Sequence, residues 1–191
     1  MIVVKLAKCG APVLRLRPSA DLLVVRTRSG KPLSERANGH AAAAPLAEAT
    51  VVMAVPEAGV EVYRVPLSGA ELARCKAALA SDPDVRFVGS ALTDDSGEPV
   101  LYTENLFIKF VDTLATDEAL RMLRTRNLTV RRRLDPSTPT FLVAAPEGTG
   151  RETFAVADDL LALPEVESCQ PELVWVEPAS ERAPRAAEPS A

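Results

Sequence analysis

The chain has one histidine, three cysteines and few aromatic residues, and each scarcity removes a class of function. His40 is the sole imidazole in 191 residues, so any Ser-His-Asp or histidine-metal site must use it. It stands between Gly39 and a run of alanines, without the rigid setting a general base needs, and reads as an incidental surface residue. Cys9, Cys75 and Cys169 lie far apart, with no CxxC pair or metal knuckle, and read as small buried hydrophobes of a reducing compartment. Aromatics at 4% leave little for a base-stacking surface, and a net charge of −4 gives no general attraction to nucleic acid or anionic lipid. No apolar run reaches membrane-spanning length, and the N-terminal Met1-Ile-Val-Val-Lys-Leu-Ala-Lys is too interrupted for a signal peptide. The expectation is a non-enzymatic cytoplasmic protein with no catalytic residues, metal or cofactor, and no nucleic-acid or membrane partner.

Hydrophobic residues at 47% against 25% charged provide for a real core, enough for one large domain or two of about 80 to 100 residues. An internal repeat favours two. At a constant offset of 81 residues, Ser68-Gly69-Ala70-Glu71 falls on Thr149-Gly150-Arg151-Glu152, and Pro83-Asp84-Val85-Arg86 falls on Pro164-Glu165-Val166-Glu167. Each hydroxyl-x-x-Glu reads as a capping box. Leu72, Cys75 and Leu79, then Phe154, Ala157 and Leu161, mark one helical face in each copy. Both helices stop before a proline, and a strand follows at Val85–Val88 and at Val166–Cys169.

Upstream, Leu22–Arg26 and Leu106–Phe110 read as matching lead strands. In the second copy Thr116-Asp117-Glu118 opens a helix with acids at its positive end, and strands follow at Leu128–Leu134 and Thr140–Ala145 around Asp135-Pro136-Ser137. The expected fold class is α+β: two tandem ferredoxin-like βαββαβ units, antiparallel sheets with helices on one face. The first is degenerate, because Gly39 and Pro45 interrupt its first helix and leave one or two short helices or a loop over 34–49. Strands at Val51–Val55 and Val60–Val65 complete that unit. The predicted organisation is a 1–19 extension with a possible hairpin, a first unit at 20–95, a second at 100–176, and a polar tail or linker at 177–191.

Other candidate chemistry has simpler readings. Glu147-Gly148-Thr149-Gly150 lacks the lysine of a phosphate loop. Asp158-Asp159, as helix neighbours, diverge by about 100° and do not converge on a metal. Arg131-Arg132-Arg133 falls on a strand expected at the sheet edge, where charge blocks edge-to-edge pairing. The remaining feature is a surface. Leu106, Ile108 and Phe110 point one way, Phe107 and Lys109 the other, so the helix-free face of the second sheet keeps apolar groups that another body must cover. Either the two units cover each other or a partner does.

Over roughly residues 20–176 these segments together resemble the N-terminal region of bacterial subtilisin-like serine proteases. The residues that carry the resemblance are Val100-Leu-Tyr-Thr-Glu-Asn-Leu-Phe-Ile-Lys-Phe, Phe141-Leu-Val-Ala-Ala-Pro-Glu-Gly-Thr-Gly, Leu163-Pro-Glu-Val-Glu-Ser-Cys-Gln-Pro-Glu-Leu-Val, and, for the preceding unit, Asp21-Leu-Leu-Val-Val-Arg-Thr-Arg and Ala58-Gly-Val-Glu-Val-Tyr-Arg-Val-Pro. The H-G-[ST]-H and G-T-S-[MA] motifs of the catalytic domain have no counterpart. The resemblance implies a propeptide-like module that inhibits a subtilisin-like protease, in cis or trans, and assists its folding. It implies that the open sheet face, with Phe107, Lys109 and Leu142, packs on the protease. It also implies that Leu173, Val174, Trp175, Val176 and Glu177, read as following the last strand, lie in the protease cleft. The alternative is a ligand-sensing or scaffold module reusing the ferredoxin-like fold for protein-protein interaction.

Overall fold

The computed structural model describes residues 1–5, 7–8, 13–33, 46, 48–56 and 59–175. These form β1 (Ile2–Lys5), β2 (Val13–Thr27), β3 (Thr50–Val55), β4 (Val60–Arg64), α1 (Gly69–Ala80), β5 (Val85–Thr93), β6 (Pro99–Phe110), α2 (Thr116–Thr125), β7 (Thr129–Asp135), β8 (Thr140–Ala144), α3 (Thr153–Leu161) and β9 (Val166–Trp175). The fold is mixed α+β, and every strand pair is antiparallel. In the first half the lateral order is β5-β2-β4-β3, and in the second it is β9-β6-β8-β7. Leu92 and Thr93 of β5 pair with Val100 and Pro99 of β6, which joins the two halves into one sheet. β1 pairs with Val13–Leu16 as the expected N-terminal hairpin. Its partner strand β2 runs unbroken through residue 19, across the boundary drawn from the sequence. The stretch 34–45, where one or two short helices or a loop were expected, lies outside the described residues.

The offset of 81 appears in three dimensions. α1 starts at Gly69 and ends at Ala80; a 3-10 turn starts at Gly150 and the following α3 ends at Leu161. β5 starts at Val85 and β9 at Val166. Gly69 and Gly150 both sit at φ +51°, in the left-handed region where a Cβ is costly, so each helical segment is entered through a left-handed glycine. That turn corrects the capping boxes. Ser68 makes no side-chain cap; its carbonyl instead accepts the Glu71 N–H at 3.1 Å. Thr149 is already helical, and its hydroxyl turns back to the Pro146 carbonyl at 2.6 Å.

Strand alternation sorts the apolar residues into three cores. Leu23, Val25, Tyr63 and Val65 face Cys75 and Leu79 of α1. Leu106, Ile108, Phe110, Phe141 and Val143 face Ala119 and Leu123 of α2 and Leu160 of α3. Between the halves, Val24 and Val62 pack in one core with Val100, Leu101, Tyr102 and Phe154, with Leu22 and Val60 partly buried against it. Tyr102 there meets Phe87 and Phe154 edge-on, at ring centroid distances of 5.4 and 5.3 Å. The first half's face turned away from α1 is therefore covered by the second half.

Candidate protein-docking face

The matching face of the second half is built differently. Phe107 pairs with Leu142 on β8 and with Gln170 on β9, and Leu142 pairs in turn with Arg132 on β7. One residue from each of four strands thus makes a row across the sheet. Phe107 and Leu142 are part-exposed and belong to none of the three cores. In the next row Lys109 lies between Thr140 and Ser168. Its ammonium is held by Glu167 at 2.8 Å and Asp112 at 3.7 Å, and the hydrogen bond it donates to Glu167 raises its pKa. On the other side of the Phe107 row, Asn105 pairs with Ala144, and Glu172 accepts from Thr103 Oγ1 at 2.7 Å and Asn105 Nδ2 at 2.9 Å. An apolar centre ringed by satisfied polar groups is the anatomy of an interface rather than of a half-formed core. The structure places Phe107, Lys109 and Leu142 on this one face.

The C-terminal residues are placed differently from the sequence reading. β9 continues to Trp175, with Leu173 opposite Tyr102, Val174 opposite Leu101 and Trp175 opposite Val100. Leu173, Val174 and Trp175 are thus the end of the last strand, not a segment beyond it; Val176 and Glu177 lie outside the described residues. Pro171 lies within β9, which is a sheet edge where a missing N–H is tolerated, and a register shift lies next to it. Leu173 packs against the core between the halves, whereas Val174 and Trp175 remain 47% and 51% exposed. In the β5–β6 turn the Ser96 hydroxyl donates to the Asp94 carboxylate at 2.5 Å, which chiefly lowers the Asp94 pKa.

Sequence reasoning missed a second feature. Arg26 and Arg28 from the end of β2, Arg86 from β5 and Arg131 from β7 gather along the seam between the halves. No spacing in the chain announces this, because only the pairing of β2 with β5 and the docking of the halves bring them near one another. The triple-arginine run was read as edge-strand charge, and β7 is indeed an edge strand of the sheet. Of that run, Arg133 bonds the Asp135 and Pro136 carbonyls, while Arg131 lines the seam. Beside the seam, Val24, Phe87, Leu101, Tyr102 and Val174 line a mainly apolar cleft of about 240 Å³.

Two buried carboxylates are committed to structure. Glu104 accepts from the Gly148 and Gly150 N–H groups at 2.7 and 3.2 Å, fixing the turn into α3 that the sequence compared with a phosphate loop. Glu61, 1% exposed, accepts from Leu33 N–H at 2.5 Å and Tyr63 Oη at 2.8 Å. Lys76 reaches Ser90 Oγ at 2.7 Å and ties α1 to β5. Burial pushes the Cys169 thiol up to about 12 and raises that of Cys75, so both are poor nucleophiles. No group of three or more metal-ligating side chains occurs among the described residues, and His40 lies outside them. No described helix is long and apolar enough to cross a membrane.

Two curated proteins are similar in sequence, and both are named calcium-dependent protease. One relative, from Nostoc sp. (strain PCC 7120 / SAG 25.82 / UTEX 2576), is 38% identical over 122 residues, covering 62% of this chain and 18% of that protein. The other, from Trichormus variabilis (strain ATCC 29413 / PCC 7937), is 34% identical over 166 residues, covering 82% of this chain and 25% of that protein. The chain therefore spans no more than a quarter of the length of the curated relatives it matches. No family profile and no solved structure matches it.

Proposed function

We propose that the chain is a non-catalytic, propeptide-like module that binds and inhibits a subtilisin-like serine protease, in cis or in trans, and assists its folding. The observation that carries this reading is the part-exposed Phe107–Leu142 pair on a helix-free sheet face. The relatives' names supply the protease, and the chain's match to a minor share of their length agrees with a non-catalytic region. We read the two halves as tandem ferredoxin-like units, the first degenerate. Their identical strand orders and the paired turns at Gly69 and Gly150 support this.

In the proposed complex the sheet face seats on the protease surface, and Val174 and Trp175 lead the chain on through Val176 and Glu177 into the substrate cleft as an added strand. Leu173 stays with the body. Face and tail then have separable roles: the face supplies area and a central anchor, while the tail blocks the cleft. The test uses subtilisin as the probe protease. A chain ending at Trp175 should still bind but inhibit far less, and Phe107→Asp with Leu142→Asp should lose binding while folding normally. Full inhibition by the shortened chain would overturn the tail's role, and unchanged binding by the double variant would overturn the face's. The scaffold or ligand-sensing alternative draws on the 240 Å³ cleft between the halves, and it predicts no effect of the face variants on a protease.

A further inference from the structure

The arginine seam has a chemistry of its own. Arg28 and Arg86 from the first half and Arg131 from the second line one cleft of about 400 Å³, together with Thr129 and the backbone from Ala144 to Glu147. Arg86 also lines the apolar cleft shared with Arg26 and a third cleft beside Gly148 and Gly150, so three clefts meet at one half-buried guanidinium. The acid lining the 400 Å³ cleft is Glu147, which ion-pairs with Arg28 and approaches Arg86 at 3.9 Å. Three guanidiniums there share one carboxylate. The Arg26 and Arg131 side chains make no hydrogen bond or ion pair among the described residues.

Nearby acids do not balance this surplus. Glu172 is engaged by Thr103 and Asn105, and Glu104 by two backbone N–H groups. Arg26 loses solvation and feels like charge from Arg86 and Arg131, both of which lower its pKa, against partial relief from Glu172 and Glu104. Packing guanidiniums together without counter-charge costs stability, and a bound anion reverses that cost. Guanidinium forks match the planar or tetrahedral oxygens of carboxylate and phosphate. Glu147 already shows one carboxylate in place.

We propose that this seam is a binding site for a small, multiply charged oxyanion, a polycarboxylate or a phosphate compound, which contacts Arg86 and Arg131 and competes with the Glu147 carboxylate for Arg86. The ligand bridges the two halves, since Arg86 belongs to the first and Arg131 to the second. The site is separate from the Phe107–Leu142 row and does not rest on the protease reading.

The experiment titrates the full chain, with its arginines labelled with nitrogen-15, against citrate and against pyrophosphate at constant ionic strength. Guanidinium Nε–H resonances are followed by NMR. Saturable shifts at Arg86 and Arg131 are expected with at least one of the two, citrate alone marking a carboxylate ligand and pyrophosphate alone a phosphate. Arg86→Gln should weaken the saturating anion by about tenfold or more. Arg131→Gln, on an exposed edge strand, provides a second variant with little risk to folding. Glu147→Gln removes the internal competitor and should tighten binding several-fold. The proposal is overturned if neither anion saturates, if both arginine variants bind as tightly as the parent, or if Glu147→Gln weakens binding.

Discussion

The two sheet faces that point away from the helices carry similar cross-strand apolar pairs but are treated differently. In the first half, Val24 and Val62 are covered by Leu101, Tyr102 and Phe154 and are almost fully buried. In the second half, Phe107 and Leu142 stay part-exposed, with Lys109, Thr140, Asn105 and Gln170 around them, all part-exposed. A face that is apolar throughout is best satisfied inside the molecule. One with an apolar centre and a polar rim tolerates water until a partner arrives. The two halves of the sheet thus differ in one respect: the first half's face is covered inside the molecule, while the second half's stays part-exposed.

The largest effect should come from breaking the covered face. Phe154→Ala removes a ring at 8% exposure from the core between the halves and should cost about 3–5 kcal/mol in urea unfolding. Phe107→Ala, the matching cut on the open face, should cost about 1 kcal/mol, since only part of the ring is out of water. Equal losses would mean that both faces are structural. Next, Gly69→Ala and Gly150→Ala should each cost about 1–2 kcal/mol, because both place a Cβ at φ +51°. A marked difference between them would separate the two entry turns that the repeat equates.

The smallest effect concerns the seam. Arg28 chiefly, with help from Arg86, holds the Glu147 carboxyl below its ordinary 4.5. A depressed carboxylate contributes stability above its unfolded pKa, and this is lost as pH falls through the folded value. Glu147→Gln should therefore lower Tm slightly at neutral pH, and the gap to the parent should shrink as pH falls below 4.5. A gap that is constant with pH would mean that the ion pair contributes nothing.

Much of this architecture was legible in the sequence because it rests on local signals. The prolines at 83 and 164 end helices by steric exclusion of the preceding residue, and alternation put Phe107 and Lys109 on one face. Three features were not legible, each for a physical reason. The Ser/Thr-x-x-Glu pattern looked like a capping box, but a left-handed glycine after each hydroxyl residue redirects the chain. The part of β9 beyond Cys169 contains Pro171, whose tolerance depends on the strand being an edge. The arginine seam depends on the docking of two halves far apart in sequence, which no local pattern encodes.

The most direct test is hydroxyl-radical footprinting of the chain alone and bound to subtilisin, read by mass spectrometry. The expected result is that Phe107 and Leu142 lose their reactivity in the complex while Val51 and Val52, exposed on β3 of the first half, keep theirs. Protection that falls on β3 and leaves Phe107 and Leu142 as reactive as before would contradict the assignment of the open face to partner binding.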